Sequence, residues 1–334
     1  MEEANNGTDQ IVISVIIVSF NTADVLGNCL RSIRLSTVRQ RIQAVVIDNA
    51  SQDRSADLVE TQFPEVRLIR NSYNAGFAKA CNQGIAVAKG RYILLLNSDV
   101  EVQADTFDKM LDFMDGHPEV GVAGCKLKNA DGSTQASVRD FPSLRGEFFG
   151  ALLLDRLFPS HPVIGSYLKQ NLAWETHVEV DQVSGAFFMV RRETIKKAGL
   201  LDEGFFMYYE EVDWCFRIKQ ADWKIMYVPE VSVLHLGGSS AKQFKALPYV
   251  EGARSKILYF RKHYGAVTAL LVQLLAMVNV LVRIFVWMVN VGAKSLGVKK
   301  KLHKGWSPSV AAQICEVIWF PNMARLSTTE RTNA

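Results

Sequence analysis

The chain has 334 residues, 49% of them hydrophobic and 22% charged, enough for a sizeable core and too apolar for wholesale disorder. A formal net charge of +4 is too small to predict nucleic-acid binding, so no nucleic-acid partner is expected. The five cysteines, Cys29, Cys81, Cys125, Cys215 and Cys315, are odd in number and lack CxxC spacing. That disfavours a zinc site or a disulfide framework and fits a reducing compartment.

Residues 1–10 are polar and acidic, with neither the basic start nor the apolar run of a signal peptide. A flexible N-terminus and a location in the cytoplasm, or facing it, are expected. Ile11–Phe20 is apolar and β-branched at nearly every position, as suits a strand buried on both faces. A helical stretch from Asn21 to about Leu35 follows, with Val25, Leu26, Leu30 and Ile33 at helical spacing. The alternation continues: strand 42–47, a helix capped by Ser51 or Asp53 and stopped by Pro64, strand 66–70, helix 75–88, strand 92–96, helix 104–115, strand 120–125. Strands alternating with helices predict a doubly wound, mostly parallel sheet, which binds ligands beyond the carboxyl ends of its strands. Three strand exits carry polar residues there: Ser19-Phe20-Asn21, Asp48-Asn49 and Asn97-Ser98-Asp99. From 126 to 183 the pattern loosens into loops and short helices expected to lie over the site. Val183–Val190 then reads as one apolar strand, 199–217 as a loop and helix rich in aromatics and acids, and 223–235 as strand material ending at His235.

No GxGxxG follows the first strand and no GxxxxGK[ST] occurs, so ordinary dinucleotide and P-loop binding are disfavoured. Three constellations can carry chemistry. Asp99, delivered to the sheet edge by an apolar strand, reads either as a turn or cap residue or as a ligand for Mg²⁺ or Mn²⁺ beside a diphosphate. Glu210, Glu211 and Asp213 stand among Phe205, Phe206, Tyr208, Tyr209 and Trp214. They read either as partly buried carboxylates raised towards general-base work or as a solvated acidic helix start. His235 reads either as a metal partner for Asp99 or as a structural histidine.

Seven motifs in order resemble glycosyltransferase family 2: SVIIVSFN at 14–21, VVIDNAS at 45–51, NAGFAKACNQGI at 74–85, ILLLNSD at 93–99, VSGAFFMVRR at 183–192, FFMYYEEVDWCFR at 205–217 and VLHLGGSS at 233–240. The resemblance implies the GT-A fold, a Rossmann-like mostly parallel sheet flanked by helices. It implies a catalytic domain over 11–245, its nucleotide-sugar half about 11–125 and its acceptor half about 126–245, with 246–334 a basic, hydrophobic helical extension. By position in the motifs, Ser19 and Asn21 would line the nucleotide pocket and Asp48 would bind the base. Asn74, Gly76, Phe77 and Asn82 would shape the nucleotide-sugar site with Asn97 and Ser98. Asp99 matches the last acid of the DxD metal motif, whose first acid is Asn97 here, and His235 matches a further metal ligand. Glu211 occupies the place of the general base, supported by Glu210, Asp213 and Arg217, with Gly185 and Trp214 towards the acceptor. The implied activity is an inverting transfer from a nucleotide-sugar, aided by Mg²⁺ or Mn²⁺. The NSD form, the SVRDFPS stretch at 137–143 and the YYEEVDWCFR block resemble bacterial rhamnosyltransferases of cell-wall and surface-polysaccharide synthesis. That implies dTDP-L-rhamnose as donor and a glycan or polyprenyl-diphosphate-linked acceptor; Arg139 there faces phosphate or lies on the surface. A UDP-sugar donor and a non-catalytic nucleotide-sugar-binding subunit are the alternatives. A nucleotidyltransferase would need a basic loop after the first strand, and 19–28 has neither Lys nor Arg.

Residues 265–291 are nearly all apolar, with Gln273, Asn279 and Arg283 as interruptions. Arg254, Lys256, Arg261 and Lys262 precede them, and Lys294, Lys299, Lys300, Lys301 and Lys304 follow. The length allows a span, yet basic residues on both flanks suit a peripheral or re-entrant element on an anionic cytoplasmic leaflet. A buried helix pair is the remaining alternative.

Overall fold

The computed structural model of the protein describes residues 11–158, 161, 175–237, 247–295 and 308–319. Within these, the chain falls into two compact units: 11–140, 175–206 and 210–237 in the first, and 141–158, 207–209, 247–295 and 308–319 in the second.

The first unit is built on one large sheet. In chain order its elements begin with β1 (Ile13–Ser19), α1 (Ala23–Arg34), β2 (Ile42–Asp48), α2 (Ser55–Gln62), β3 (Arg67–Arg70), α3 (Phe77–Val87), β4 (Tyr92–Asn97) and β5 (Val100–Glu101). They continue with α4 (Thr106–Gly116), β6 (Val120–Lys128), β7 (Thr134–Gln135) and β8 (Val138–Arg139). After the excursion into the second unit come β9 (Val178–Glu179), β10 (Gln182–Val183), β11 (Phe187–Arg191), α7 (Arg192–Ala198), α8 (Glu210–Gln220) and β12 (Lys224–His235). The main sheet runs β3-β2-β1-β4-β11-β6-β12-β5. β1 lies parallel between β2 and β4, and its apolar run is buried on both faces, as expected. The strand expected over 183–190 is divided. Ser184-Gly185-Ala186 separates the two-residue β10, which pairs with β8, from β11, which runs antiparallel between β4 and β6. The sheet is therefore mostly rather than wholly parallel.

This order positions the site. The chain passes from β1 to β2 and β3 on one side, then crosses to β4 on the other, so the exits of β1, β2 and β4 share one edge. Antiparallel β11 starts at that edge, with Phe187 opposite Leu96 and the Asn97 N–H donating to the Ala186 carbonyl at 3.1 Å. β5, immediately after Asp99, pairs with the end of β12, placing Val100 opposite His235.

Gly76, at φ 83°, opens α3 where only glycine fits. A Cβ there would stand 2.6 Å from the Phe206 carbonyl oxygen, and the Phe77 N–H donates to that same oxygen at 2.7 Å. Gly76→Ala is expected to cost about 2 kcal/mol or more, from left-handed strain plus displacement of backbone. Chemical denaturation at constant m-value measures it; a loss under about 0.5 kcal/mol would contradict the packing described.

The second unit contains α5 (Leu144–Ala151), α6 (Leu154–Leu157), α9 (Leu247–Ser295) and α10 (Pro308–Trp319). Gly265, at φ 85° and ψ 172°, breaks α9 into two arms where the apolar run begins. Val250, Ile257, Val280, Ala311, Ile314 and Val317 form its core. Polar ties hold the helices together: Lys256 Nζ to Glu147 Oε2 at 2.6 Å, Asn279 Nδ2 to the Gly150 carbonyl at 2.9 Å, and Gln273 Nε2 to the Ile318 carbonyl at 3.0 Å. The alternative of a buried helix pair does not fit the second arm. Much of the second arm is exposed, with Val267 at 76% and Phe285 at 64% of full accessibility. Among the described residues, Pro248–Val289 is the one helix long and apolar enough to cross a membrane, with a mean hydropathy of 2.3 in its most apolar window. Gly238, Ser239, Ser240 and the lysines at 299–301 and 304 lie outside the described residues.

Candidate active site

The β5–β12 pairing brings Asp99 and His235 together across 136 positions of sequence. His235 Nε2 lies 3.4 Å from Asp99 Oδ1 and 3.4 Å from Asn97 Nδ2. Its Nδ1 donates to Gln135 Oε1 at 2.8 Å, while Gln135 Nε2 donates to the His235 carbonyl at 2.6 Å and to Asn129 Oδ1 at 2.6 Å. Gln135 thereby places a proton on Nδ1 and turns Nε2 towards the carboxylate. With Nε2 unprotonated, the two groups would repel each other unless a cation lay between them. A single metal with cis ligands at about 2.1 Å places its donor atoms roughly 3 Å apart, close to the separation here. Among the described residues no group of three or more His, Cys, Asp or Glu side chains forms a closed metal cage. The donor set of one carboxylate, one imidazole and phosphate or water oxygens fits Mn²⁺ or Mg²⁺, which are commonly held that way.

Glu210 and Glu211 open α8, and the reading as a solvated helix start does not hold. Glu210 is buried, and burial pushes its carboxyl well above the usual range, with the Glu211 charge adding to the shift. Burial also raises Glu211, while its backbone amide and the Arg139 charge pull it back. Glu210 Oε2 and Glu211 Oε2 are both buried without a hydrogen-bond partner. Gly185 packs against the Glu211 stem, where a Cβ would lie 3.9 Å from the Glu211 Cβ. The turn at 184–186 therefore carries Glu211 at the edge where β4 delivers Asn97-Ser98-Asp99. Arg139, on β8, acts here on the carboxylate.

Asp213, Trp214 and Arg217 serve a different purpose. Arg217 Nε donates to Asp213 Oδ2 at 2.9 Å, and its terminal nitrogens donate to the Ala198 and Leu200 carbonyls, the latter at 2.8 Å. Trp214 Nε1 donates to the Gly199 carbonyl at 2.8 Å, and its ring stacks on Phe188 at 5.3 Å. These contacts fix α8 to the loop before it and so position Glu211. The expected contact of Trp214 with an acceptor is corrected: the residue is 0% exposed, leaving no ring face to offer.

The nucleotide-side residues knit three strand exits together. Asn21, in the left-handed conformation at φ 52°, donates its N–H to Ser51 Oγ at 3.0 Å and accepts from Gln52 N at 2.7 Å. Ser19 is buried against Thr22 Oγ1 at 2.9 Å. Asn74 Oδ1 accepts from Asn49 Nδ2 at 2.8 Å and from Gly76 N at 3.0 Å. Asn82 spends its amide on the Leu201 backbone, at 2.9 and 3.2 Å, so it braces the 199–206 loop rather than facing outward. The close approach that Gly76 permits is to Phe206. Asp48 accepts from Ser51 N at 3.1 Å through Oδ2, while Oδ1 is buried without a partner, and burial raises its carboxyl above the ordinary value. Ser98 is buried beside Asp99, and Phe77 is half-buried at the start of α3. Two residues beyond the sequence reading emerge. Asn49 ties the 71–76 loop through Asn71, Asn74 and Ala75, and Gln135 orients His235. Asn49 stands inside VVIDNAS, a signal that could have found it; Gln135 is 100 positions from its partner and carries none.

This arrangement of mostly parallel sheet, antiparallel β11 and acidic edge is the GT-A fold of glycosyltransferases. A mannosyltransferase from Pyrobaculum calidifontis, solved with GDP-mannose and Mn²⁺, superposes with a TM-score of 0.55 at 16% identity, covering 96% of this chain and 84% of that one. The family model for glycosyl transferase family 2 matches residues 14–198. The chain belongs to that family and is a glycosyltransferase. It is 30% identical over 236 residues to the N-acetylglucosaminyl-diphospho-decaprenol L-rhamnosyltransferase of Mycobacterium tuberculosis, covering 67% of this chain and 76% of the relative. It is 25% identical to a low-salt glycan biosynthesis hexosyltransferase of Haloferax volcanii over 228 residues, 67% of this chain and 66% of the relative.

Proposed function

We propose that the protein is an inverting, divalent-metal-dependent rhamnosyltransferase. It takes L-rhamnose from dTDP-L-rhamnose to a hydroxyl of a lipid-linked or glycan acceptor in cell-envelope polysaccharide synthesis. The observation that carries the reading is Glu211 Oε2, buried without a hydrogen-bond partner and held by the 184–186 turn at the sheet edge where Asp99 faces His235. The donor sugar and the lipid-linked acceptor rest on the mycobacterial relative.

In this mechanism Glu211 Oε2 accepts the proton of the acceptor hydroxyl. The freed oxygen forms its bond to the anomeric carbon as the bond from that carbon to the diphosphate oxygen breaks. The nucleoside diphosphate leaves with the electron pair, and one displacement inverts the configuration. Asp99 Oδ1 and His235 Nε2 would hold Mn²⁺ or Mg²⁺, which neutralises charge on the leaving diphosphate. Asp48 Oδ1, an acceptor in need of a donor, suits an N–H of the nucleobase. Burial raises both carboxyls of the Glu210–Glu211 pair and their charges oppose each other, so the pair ionises in steps, with Glu211, beside Arg139, assigned as the base.

The test is a donor screen with Mn²⁺ or Mg²⁺ against a prenyl-diphosphate-linked acetamido sugar. Transfer from dTDP-L-rhamnose, with the product of inverted anomeric configuration by NMR, is expected. Transfer from a UDP-sugar alone would overturn the donor, and retention would overturn the mechanism. The exposed apolar arm after Gly265 supports residence on the cytoplasmic face of the membrane, peripheral or re-entrant. The full chain is expected in the membrane fraction, released by detergent. Complete recovery in the soluble fraction at low and high salt would contradict this.

A further inference from the structure

α8 runs antiparallel along the segment that leads into β11, in a register set by three contacts. Lys219 Nζ reaches Asp181 Oδ1 at 3.5 Å, and Cys215 lies against the Val183 backbone. Glu211 lies against Gly185, where a Cβ would stand 3.9 Å away. Positions 211, 215 and 219 recur every four residues and so share one helix face. The same segment pairs with β8. Val183 stands opposite Val138 and Gln182 opposite Arg139, and the Ser184 N–H donates to the Ser137 carbonyl at 2.8 Å. Gln182 Nε2 donates to the Asp140 carbonyl at 2.6 Å, which fixes the chain immediately after Arg139. Val138 and Gln182 are buried, and Arg139 is exposed. The ribbon therefore holds one exposed guanidinium beside the helix face that carries Glu211.

The charged and titratable groups around Glu211 are Glu210 next to it, the buried Cys215 thiol one turn on, and Arg139 from β8. Lys219, farther along the face, is engaged by Glu179 and Asp181 at 3.2 and 3.5 Å. Arg139 is the cation whose charge reaches the Glu211 carboxyl, offsetting part of the rise that burial causes. By itself this opposes catalysis, because it weakens the base. An anion on the guanidinium lifts that opposition. The geometry of the reaction says which substrate carries the anion. In an inverting displacement the attacking hydroxyl and the leaving group lie on opposite faces of the anomeric carbon. The leaving diphosphate belongs with Asp99 and His235, so a cation beside the base meets the acceptor. The planar fork of arginine suits phosphate oxygens. We propose that Arg139 binds a phosphate-ester anion of the acceptor, adjacent to the hydroxyl that Glu211 deprotonates, and so selects phosphorylated over uncharged acceptors. The inference rests on Glu211 as the base of an inverting transfer, and it adds the residue that reads the charge of the acceptor.

Calorimetry on the full chain, with dTDP or UDP and Mn²⁺ saturating the donor side, tests it without turnover. The probes are a prenyl-diphosphate-linked acetamido sugar, the 1-phosphate of that sugar without the lipid, and its uncharged octyl glycoside. Arg139→Gln should weaken the diphosphate-linked probe about tenfold or more and the octyl glycoside less than about twofold. Arg139→Lys should lose less, since it keeps the charge and gives up only the fork. Dependence on Arg139 for the lipid-linked probe alone assigns the anion to the lipid diphosphate; dependence for the 1-phosphate as well assigns it to any phosphate on the accepting sugar. With the uncharged acceptor, Arg139→Gln should also move the acid limb of kcat to higher pH, because the charge that holds Glu211 down is gone; a merely structural role moves no limb. Equal losses for charged and uncharged probes, or an unmoved acid limb, overturn the proposal. Loss of dTDP or UDP affinity instead places Arg139 with the donor and overturns it too. Charge-selective binding without rhamnosyl transfer from any donor leaves the anion site standing and removes the rhamnosyltransferase reading.

Discussion

Glu211→Gln is expected to lower kcat by about 10²–10⁴-fold while leaving donor affinity within a factor of two. The amide preserves the shape of the side chain and cannot accept a proton. Folding should survive, because Glu211 Oε2 is buried without a partner and a neutral group is easier to bury there than a charged one. Glu210→Gln provides the contrast. Glu210 is buried beside the proposed base and is not itself that base, so its replacement by a neutral amide should cost less than about tenfold in kcat. The pH profile gives the sign. A base must be deprotonated to act, and burial moves Glu211 above the ordinary carboxylate range. The rate should therefore rise with pH through a limb lying above that range, and fall as acid protonates the pair. Equal losses for the two variants, or an acid limb at the ordinary glutamate value, would move the base elsewhere.

The frame of this site was legible because strands buried on both faces must be apolar along their length. Ile11–Phe20 and Ile93–Leu96 announced themselves, and so did the polar residues at their exits. The acids at 210–213 stood out for the same reason, carboxylates being rare among aromatics. The division of labour among them was hidden. Whether Trp214 faces a ligand or Phe188 depends on how α8 rolls against β11, a tertiary contact that the order of residues within the helix leaves open. Asn82 looked like a pocket residue and serves the Leu201 backbone instead, because the 199–206 loop folds back onto α3. The break at Gly265 fell on a residue that could equally have been an ordinary member of the apolar run. Gln135 lay in a segment without periodicity, and its role follows only from the meeting of β7 with β6 and of β6 with β12.

Asp99→Ala is expected to reduce kcat/KM by about 10³-fold and to abolish measurable Mn²⁺ binding, because it removes the only carboxylate facing His235 Nε2 among the described residues. His235→Ala should act in the same direction and more weakly, since the charge that offsets the cation stays in place. Gln135→Leu separates positioning from ligation. It keeps both proposed ligands but leaves the imidazole free to rotate or change tautomer, and should weaken Mn²⁺ by about 10–100-fold. Titration calorimetry with Mn²⁺ and the nucleoside diphosphate reads all three without relying on turnover. Saturating Mn²⁺ should restore most of the activity of Gln135→Leu and none of that of Asp99→Ala. Were Gln135→Leu to stay inactive at saturating metal with unchanged Mn²⁺ affinity, the amide would act on the reaction itself and the tautomer argument would fail. Unchanged Mn²⁺ affinity in Asp99→Ala would instead remove the carboxylate from the metal site, leaving the Asp99–His235 approach a structural contact at the β5–β12 edge.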